Sequence, residues 1–163
     1  MRELELGSEI GGYRIESVAG RGGMGVVYRA RQLALDRVVA LKVISPQLAD
    51  DKSFRERFKR ESKVAASIRH PNVISVYDAR EDEGLLYVTM DYIVGTDLRG
   101  LIVQHRRLEP RLAADVISQV GAALDAAHKR GLVHRDVKPA NVLIGDADVG
   151  VHAYLTGPAR GRS

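Results

Sequence analysis

The run His134-Arg135-Asp136-Val137-Lys138-Pro139-Ala140-Asn141 gathers polar side chains of four functional types, imidazole, cation, carboxylate and amide, into eight residues. Apolar pairs and triplets bracket it, Leu132-Val133 before and Val142-Leu143-Ile144 after, so the polar residues fall in a loop held between two expected short strands. Loops are polar in general, and an ordinary surface turn accounts for the composition alone. The bracketing favours a positioned site. In such a site Asp136 has the chemistry to accept a proton from a hydroxyl, Lys138 to neutralise a phosphate, and Asn141 to offer an amide oxygen to a metal ion.

A second group lies upstream. Gly20-Arg21-Gly22-Gly23-Met24-Gly25 fits the spacing G-x-G-x-x-G, which serves both dinucleotide folds and phosphate-covering hairpins and is also met in plain turns. A dinucleotide fingerprint opens a helix, whereas Val26-Val27-Tyr28-Arg29-Ala30 continues as a strand. The glycines are therefore expected in a hairpin, as a turn or as a cover for phosphates. Lys42 interrupts the apolar strand Val38 to Ile44, on the face of Ala40 and Ile44. An edge lysine that extends its ammonium to water would look the same. Glu61 falls seven residues after Phe54 and four before Ala65, on the apolar stripe of a helix, where an unpaired carboxylate is costly to bury. Lys42 and Glu61 satisfy one another most economically; the alternative places Glu61 at the edge of the stripe, facing water.

The elements that must position these residues follow from periodicity. Alternation over 13–18, 26–30 and 37–44 predicts three antiparallel strands in meander order. Phe54, Phe58, Ala65 and Ile68 recur at helical spacing, and Ser53-Phe54-Arg55-Glu56 reads as a capping box at the helix start. His70-Pro71 is expected to end that helix. Val73–Tyr77 and Leu85–Met90 read as two further strands separated by Asp82-Glu83-Gly84. A short helix from Asp97 to about Gln104 precedes a longer one from Pro110 to Arg130, with Ala113, Val116, Ile117, Val120, Leu124 and Ala127 on one side and Gly131 as the stop. The fold class expected is α+β: five antiparallel strands with one helix, then the start of a mainly helical region. No internal repeat is present.

Composition excludes several functions. The 163 residues contain no Cys, which removes disulfide scaffolds, cysteine zinc sites and thiol nucleophiles. The formal charge of +4 comes from 25 basic and 21 acidic residues intermixed along the chain, which argues against nucleic acid as a partner. No apolar run approaches the ~18 residues of a membrane span, and Met1 to Ile10, with three Glu, lacks the basic end and apolar stretch of a signal peptide. A cytoplasmic location without a membrane segment is expected.

Taken in order, these residues resemble the eukaryotic-like bacterial serine/threonine protein kinases, particularly the actinobacterial group, from about Tyr13 to Thr156. Five signatures carry the resemblance: the glycine loop ending in Val27, Val39-Ala40-Leu41-Lys42, the helix residue Glu61, the turn His70-Pro71-Asn72, and the loop 134–141. Lys138-Pro139 is similar to the serine/threonine version of that loop. The resemblance implies ATP and Mg²⁺ as cofactors and a protein Ser/Thr hydroxyl as acceptor. It implies that Gly20, Gly22 and Gly25 cover the phosphates, Lys42 holds the α- and β-phosphates, and Glu61 orients Lys42. It further implies Asp136 as base, Lys138 at the γ-phosphate and Asn141 on the metal. Val27, Ala40 and Leu143 would sandwich adenine, with Met90 as gatekeeper, Asp91 to Ile93 as the hinge and Asp97 at the ribose. Ala19 stands where a larger aliphatic residue usually roofs the base.

The domain organisation implied is an N-terminal extension (1–12), a small lobe with hinge (13–94), part of a large lobe (95–156) and an aberrant, disordered tail (157–163). Where the family carries Asp-Phe-Gly after a strand such as Ala153-Tyr154-Leu155-Thr156, this sequence has Gly157-Pro158-Ala159. Asp146 and Asp148 are expected in a turn before that strand, at the wrong end of it to substitute. Loss of the principal metal-binding aspartate, and of the family's segments beyond it, implies impaired phosphoryl transfer. The competing expectation is an inactive nucleotide-binding or interaction fragment that pairs with a second copy through its small lobe.

Overall fold

A computed structural model describes residues 3–147 and 150–155, with side chains placed as far as Gly145. The expected tail at 157–163, with Thr156 and Asp148, lies outside the described residues. The chain divides into two compact units, one formed by residues 1–66 and 76–92, the other by 67–75 and 93–163.

The first unit is built on a six-stranded antiparallel sheet: β1 (Glu9–Ile10), β2 (Tyr13–Gly22), β3 (Gly25–Gln32), β4 (Arg37–Ile44), β5 (Val76–Asp82) and β6 (Leu85–Asp91), in the order β1-β2-β3-β4-β6-β5. The expected meander is β2-β3-β4. Central β4 is apolar on both faces because both are covered. Val39, Leu41 and Val43 join Ile15, Tyr28 and Tyr87 in the main core cluster on one face. Ile44, on the other, packs with Leu86, with Ala49 of α1 (Pro46–Ala49) and with Phe54 of α2 (Lys52–Ser67).

Three expectations are corrected here. Helix α2 begins at Lys52, and its cap is Asp51, whose Oδ1 accepts from Ser53 N at 2.8 Å, Ser53 Oγ at 2.8 Å and Phe54 N at 3.2 Å. Ser53 is thus a donor to the cap and not the cap itself. The helix stops at Ser67, before His70-Pro71, and His70 Nδ1 accepts instead from Asn72 N at 3.1 Å. Strand β5 starts only at Val76 because Ser67–Ser75 belong to the second unit. Asn72, buried at 7 %, donates there to Gln119 Oε1 at 2.9 Å, which fixes that turn on the long helix.

The second unit holds β7 (Gly95–Asp97), α3 (Leu98–His105), α4 (Pro110–His128), β8 (Val142–Ala147) and β9 (Gly150–Leu155), with the strands in the order β7-β8-β9. Val116 and Ala123 of α4 pack with Val142 and Ile144 of β8, joined by Leu98, Leu101, Leu112, Val120 and Leu124. Ile117, expected on the same stripe, is 71 % exposed. At about 100° per residue it falls one step beyond Val116 and outside the arc that meets the sheet. Leu132-Val133 form no strand, and Asp146 lies in β8 opposite Val151, not in a turn.

Candidate active site

In the first unit, strand register gathers the glycine hairpin and Lys42 onto one face. Gly20 is opposite Val27, and Val27 is opposite Lys42. Ala40, two residues before Lys42, is opposite Met90. Directly opposed residues share a face, and so do residues two apart. Gly20, Gly22, Gly25, Val27, Ala40, Lys42 and Met90 therefore all lie on the face that α1 and α2 cover at its Ile44 and Leu86 end. Beyond that cover Val27 and Met90 are half-buried, while Ala40 is buried.

The glycines differ in why they are glycine. Gly25 has φ +140°, and a Cβ on it would stand 1.9 Å from the Val43 carbonyl oxygen, so the close approach of β4 excludes any side chain. A Cβ on Gly20 or Gly22 would meet nothing within 4 Å. Packing does not demand glycine at those two positions. They leave open space on the face that carries Lys42.

Lys42 is half-buried, with Nζ 3.9 Å from Met24 Sδ at the hairpin tip. Met24 packs in turn on the cluster of Ile44, Phe54 and Phe58. Glu61, half-buried, follows Phe58 by one turn of α2, so hairpin, lysine strand and glutamate helix meet in one small cluster. Ala19 is exposed at the second of two irregularities in the β2–β3 register, between Val18 and Gly20. Asp91 ends β6 and accepts the Tyr77 hydroxyl, whose ring lies under the Arg37 guanidinium at 3.7 Å. Burial and the Asp91 carboxylate both push the Tyr77 hydroxyl pKa above the usual tyrosine value. This stack is not legible in the sequence, because its three members come from separate strands, and neither is the Met24 contact to Lys42, which joins the hairpin turn to β4.

The second unit holds the other group. Asp136 Oδ2 accepts from Lys138 Nζ at 2.8 Å and from Asn141 Nδ2 at 3.0 Å, and Asn141 Nδ2 also donates to the Asp136 carbonyl at 2.8 Å. The amide nitrogen of Asn141 thus faces Asp136. Buried His134 accepts from Asp136 N through Nδ1 at 3.3 Å, and Arg135 between them turns left-handed at φ +63°. A 3₁₀ turn at Pro139–Asn141, started by the fixed φ of proline, leads Asn141 into β8.

Leu143 of β8 is opposite Asp97 of β7, and both are half-buried. Asp97 also caps α3, its Oδ1 accepting from Gly100 N at 2.6 Å. Ile93, half-buried, follows the last strand of the first unit by two residues. The structure thus brings Asp136, Lys138 and Asn141 together, and Asp97 beside Leu143. Among the described residues no cluster of three or more His, Cys, Asp or Glu forms a ready metal cage, and no helix is long and apolar enough to cross a membrane.

Residues 13–152 match the family model described as protein kinase domain. The chain is 44% identical over 151 residues to the serine/threonine-protein kinase PknD of Mycobacterium tuberculosis, covering 93% of this chain and 22% of that protein. It is 43% identical over 153 residues to PknE of Mycobacterium bovis, covering 94% and 26%. The chain therefore spans about a quarter of the length of these curated relatives. The crystal structure of the Mycobacterium tuberculosis PknI kinase domain superposes with a TM-score of 0.84 at 37% identity, over 94% of this chain and 62% of that one. With residues 13–152 matched by that family model and most of the chain matched by these relatives, the chain belongs to the protein kinase family, with serine/threonine kinases as its relatives.

Proposed function

We propose that this chain binds ATP with Mg²⁺ and carries the nucleotide-holding and proton-accepting parts of a serine/threonine protein kinase. The observation that carries the reading is the shared face of Gly20, Gly22, Val27, Ala40, Lys42 and Met90, which offers open backbone, a cation and apolar surface in sequence along one sheet. Gly20, Gly22 and Gly25 cover the phosphates with backbone N–H groups, Lys42 holds the α- and β-phosphates, and Glu61 orients Lys42. Val27, Ala40 and Leu143 hold the adenine, with Ala19 a small roof, Met90 as gatekeeper and the backbone of Asp91 to Ile93 reading the base edge. The second carboxylate oxygen of Asp97 serves the ribose. Asn141 would hold Mg²⁺ through its amide oxygen, a donor of the kind a hard divalent cation takes, and the ion would supply positive charge against that of the phosphates. Asp136 accepts the proton of the acceptor hydroxyl, and Lys138 steadies the γ-phosphate.

Turnover by this sequence is proposed to be low. Gly157-Pro158-Ala159 stands where relatives of this family carry the aspartate that makes the principal metal contact. Phosphoryl transfer depends on positioning and on metal charge, with little covalent chemistry by the protein to offset that loss. The same observation favours a second reading, an inactive nucleotide-binding or interaction fragment that pairs through its first unit. Both readings place the chain in the ATP-containing cytoplasm. Labelled ATP with Mg²⁺ and a Ser/Thr-containing acceptor protein separates them: transfer that Asp136→Asn abolishes supports the enzyme, and transfer no greater than that of the variant supports the fragment.

A further inference from the structure

Residues 3–10 run along the β2 side of the sheet and are held in three ways. Backbone bonds link Gly7 N to the Ile15 carbonyl at 2.8 Å and Ile15 N to the Ser8 carbonyl at 2.9 Å, and β1 continues the pairing with Ile10 opposite Tyr13. Leu4 packs on the main core cluster, and its N–H donates to the hydroxyl of Tyr28 at 3.0 Å. Tyr28 is 1 % exposed, so this is an anchor into the core. Finally, Glu3 takes both prongs of the Arg21 guanidinium, Nε on Oε1 at 2.9 Å and Nη2 on Oε2 at 2.9 Å.

Arg21 lies between Gly20 and Gly22, opposite Val26, so alternation turns its side chain to the face away from Lys42. Val26 belongs to the core cluster on that other face. Gly20 and Gly22 keep the Lys42 face clear, and Arg21 gives the same hairpin a handle behind. A hairpin with four glycines in six residues has wide backbone freedom and opens at little cost. A bidentate carboxylate–guanidinium pair restrains orientation as well as distance, which a single point charge does not.

We propose that residues 3–10 form a strap that fixes the glycine hairpin from behind, with Glu3 as a positioning residue for the phosphate cover. This rests on the reading that the hairpin covers phosphates. The pair is exposed, so its contribution to global stability is small and its effect is local to the hairpin tip. It weakens as salt screens it.

Amide hydrogen exchange at residues 20–25 of the full chain tests the strap without nucleotide. In low salt, Glu3→Ala and Arg21→Ala are expected to exchange about two- to fivefold faster there than the parent. The charge swap Glu3→Arg with Arg21→Glu is expected to restore the slow rate, and about 1 M salt to bring the parent toward the single variants. Unchanged exchange in both single variants overturns the strap. Titration with Mg·ATP and with adenosine tests the positioning role. The single variants are expected to weaken ATP about two- to fivefold and leave adenosine unchanged. Equal weakening of both ligands, or of neither, overturns that role. A parent that binds adenosine and ATP with the same affinity overturns the phosphate reading, and hydrogen exchange still decides the strap.

Discussion

Lys138 Nζ lies 2.8 Å from Asp136 Oδ2, the same oxygen that accepts from Asn141 at 3.0 Å. The carboxylate is thus oriented by two donors from its own loop, the six residues 136–141 closing on one oxygen. Asp136→Asn keeps the shape while removing the carboxylate proposed to accept the proton. Whatever phosphoryl transfer the chain performs is expected to fall about 10²- to 10⁴-fold, with ATP affinity unchanged, in a comparison of labelled-phosphate transfer and nucleotide titration. Equal transfer by parent and variant would remove Asp136 from the chemistry.

The two kinds of glycine in the hairpin separate on substitution. Gly25→Ala forces a side chain into a left-handed backbone and against the Val43 carbonyl oxygen, 1.9 Å from the new Cβ. A loss of about 1–3 kcal/mol in thermal or denaturant unfolding is expected. Gly20→Ala and Gly22→Ala enter open space and should leave stability within about 1 kcal/mol of the parent, or raise it slightly. Their effect should appear in ATP affinity.

Asp51 supplies a pH signature. Hydrogen bonds from the Ser53 hydroxyl and the Phe54 and Ser53 N–H groups hold its carboxyl below the usual aspartate value of 3.8. A carboxylate whose folded pKa is depressed adds stability above its unfolded pKa and loses it as pH falls through the folded value. The melting-temperature gap between the parent and Asp51→Ala should be constant above about pH 5 and should close below that, through the aspartate range. A gap that stays the same down to pH 2.5 would mean that the charged cap contributes nothing.

Tyr87 gives a stabilising prediction. Its hydroxyl is buried and finds no hydrogen-bond partner among the described residues, and burial raises its pKa. Tyr87→Phe removes an unsatisfied polar group and is expected to gain about 1 kcal/mol. A Cβ on Gly11 would stand 1.9 Å from that hydroxyl oxygen but 2.8 Å from Cζ. Gly11→Ala should therefore destabilise, and less so in the Tyr87→Phe background. Denaturant unfolding of the four proteins measures the coupling; strict additivity would contradict the contact.

Strands such as β2 were legible because one face is buried and alternation has only one way to satisfy that. Lys42 stood out for a different reason, as a cation in the continuous apolar run of β4, which is covered on both faces. The elements missed carry little pattern. β1 is two residues long, and its place depends on Leu4 and Ile10 reaching the core. Helix α1 is a single turn begun by Pro46. The true cap of α2 was hidden because Asp51 and Ser53 are both good caps, and only geometry tells which oxygen meets the N–H of Phe54. Val73 to Ser75 look like strand residues but pack with the second unit, a tertiary preference that overrides local propensity. In the loop, residue types were readable, whereas the shared oxygen of Asp136 depends on the left-handed turn at Arg135.

The central claim is that the face carrying Lys42 holds the phosphates of ATP. Calorimetric titration of the full chain and of Lys42→Met with Mg·ATP and with adenosine tests it most directly. The expected result is ATP binding that weakens about tenfold or more in the variant, as loss of a charged contact to phosphate requires, with adenosine affinity unchanged. Equal ATP affinity in the two proteins would contradict it.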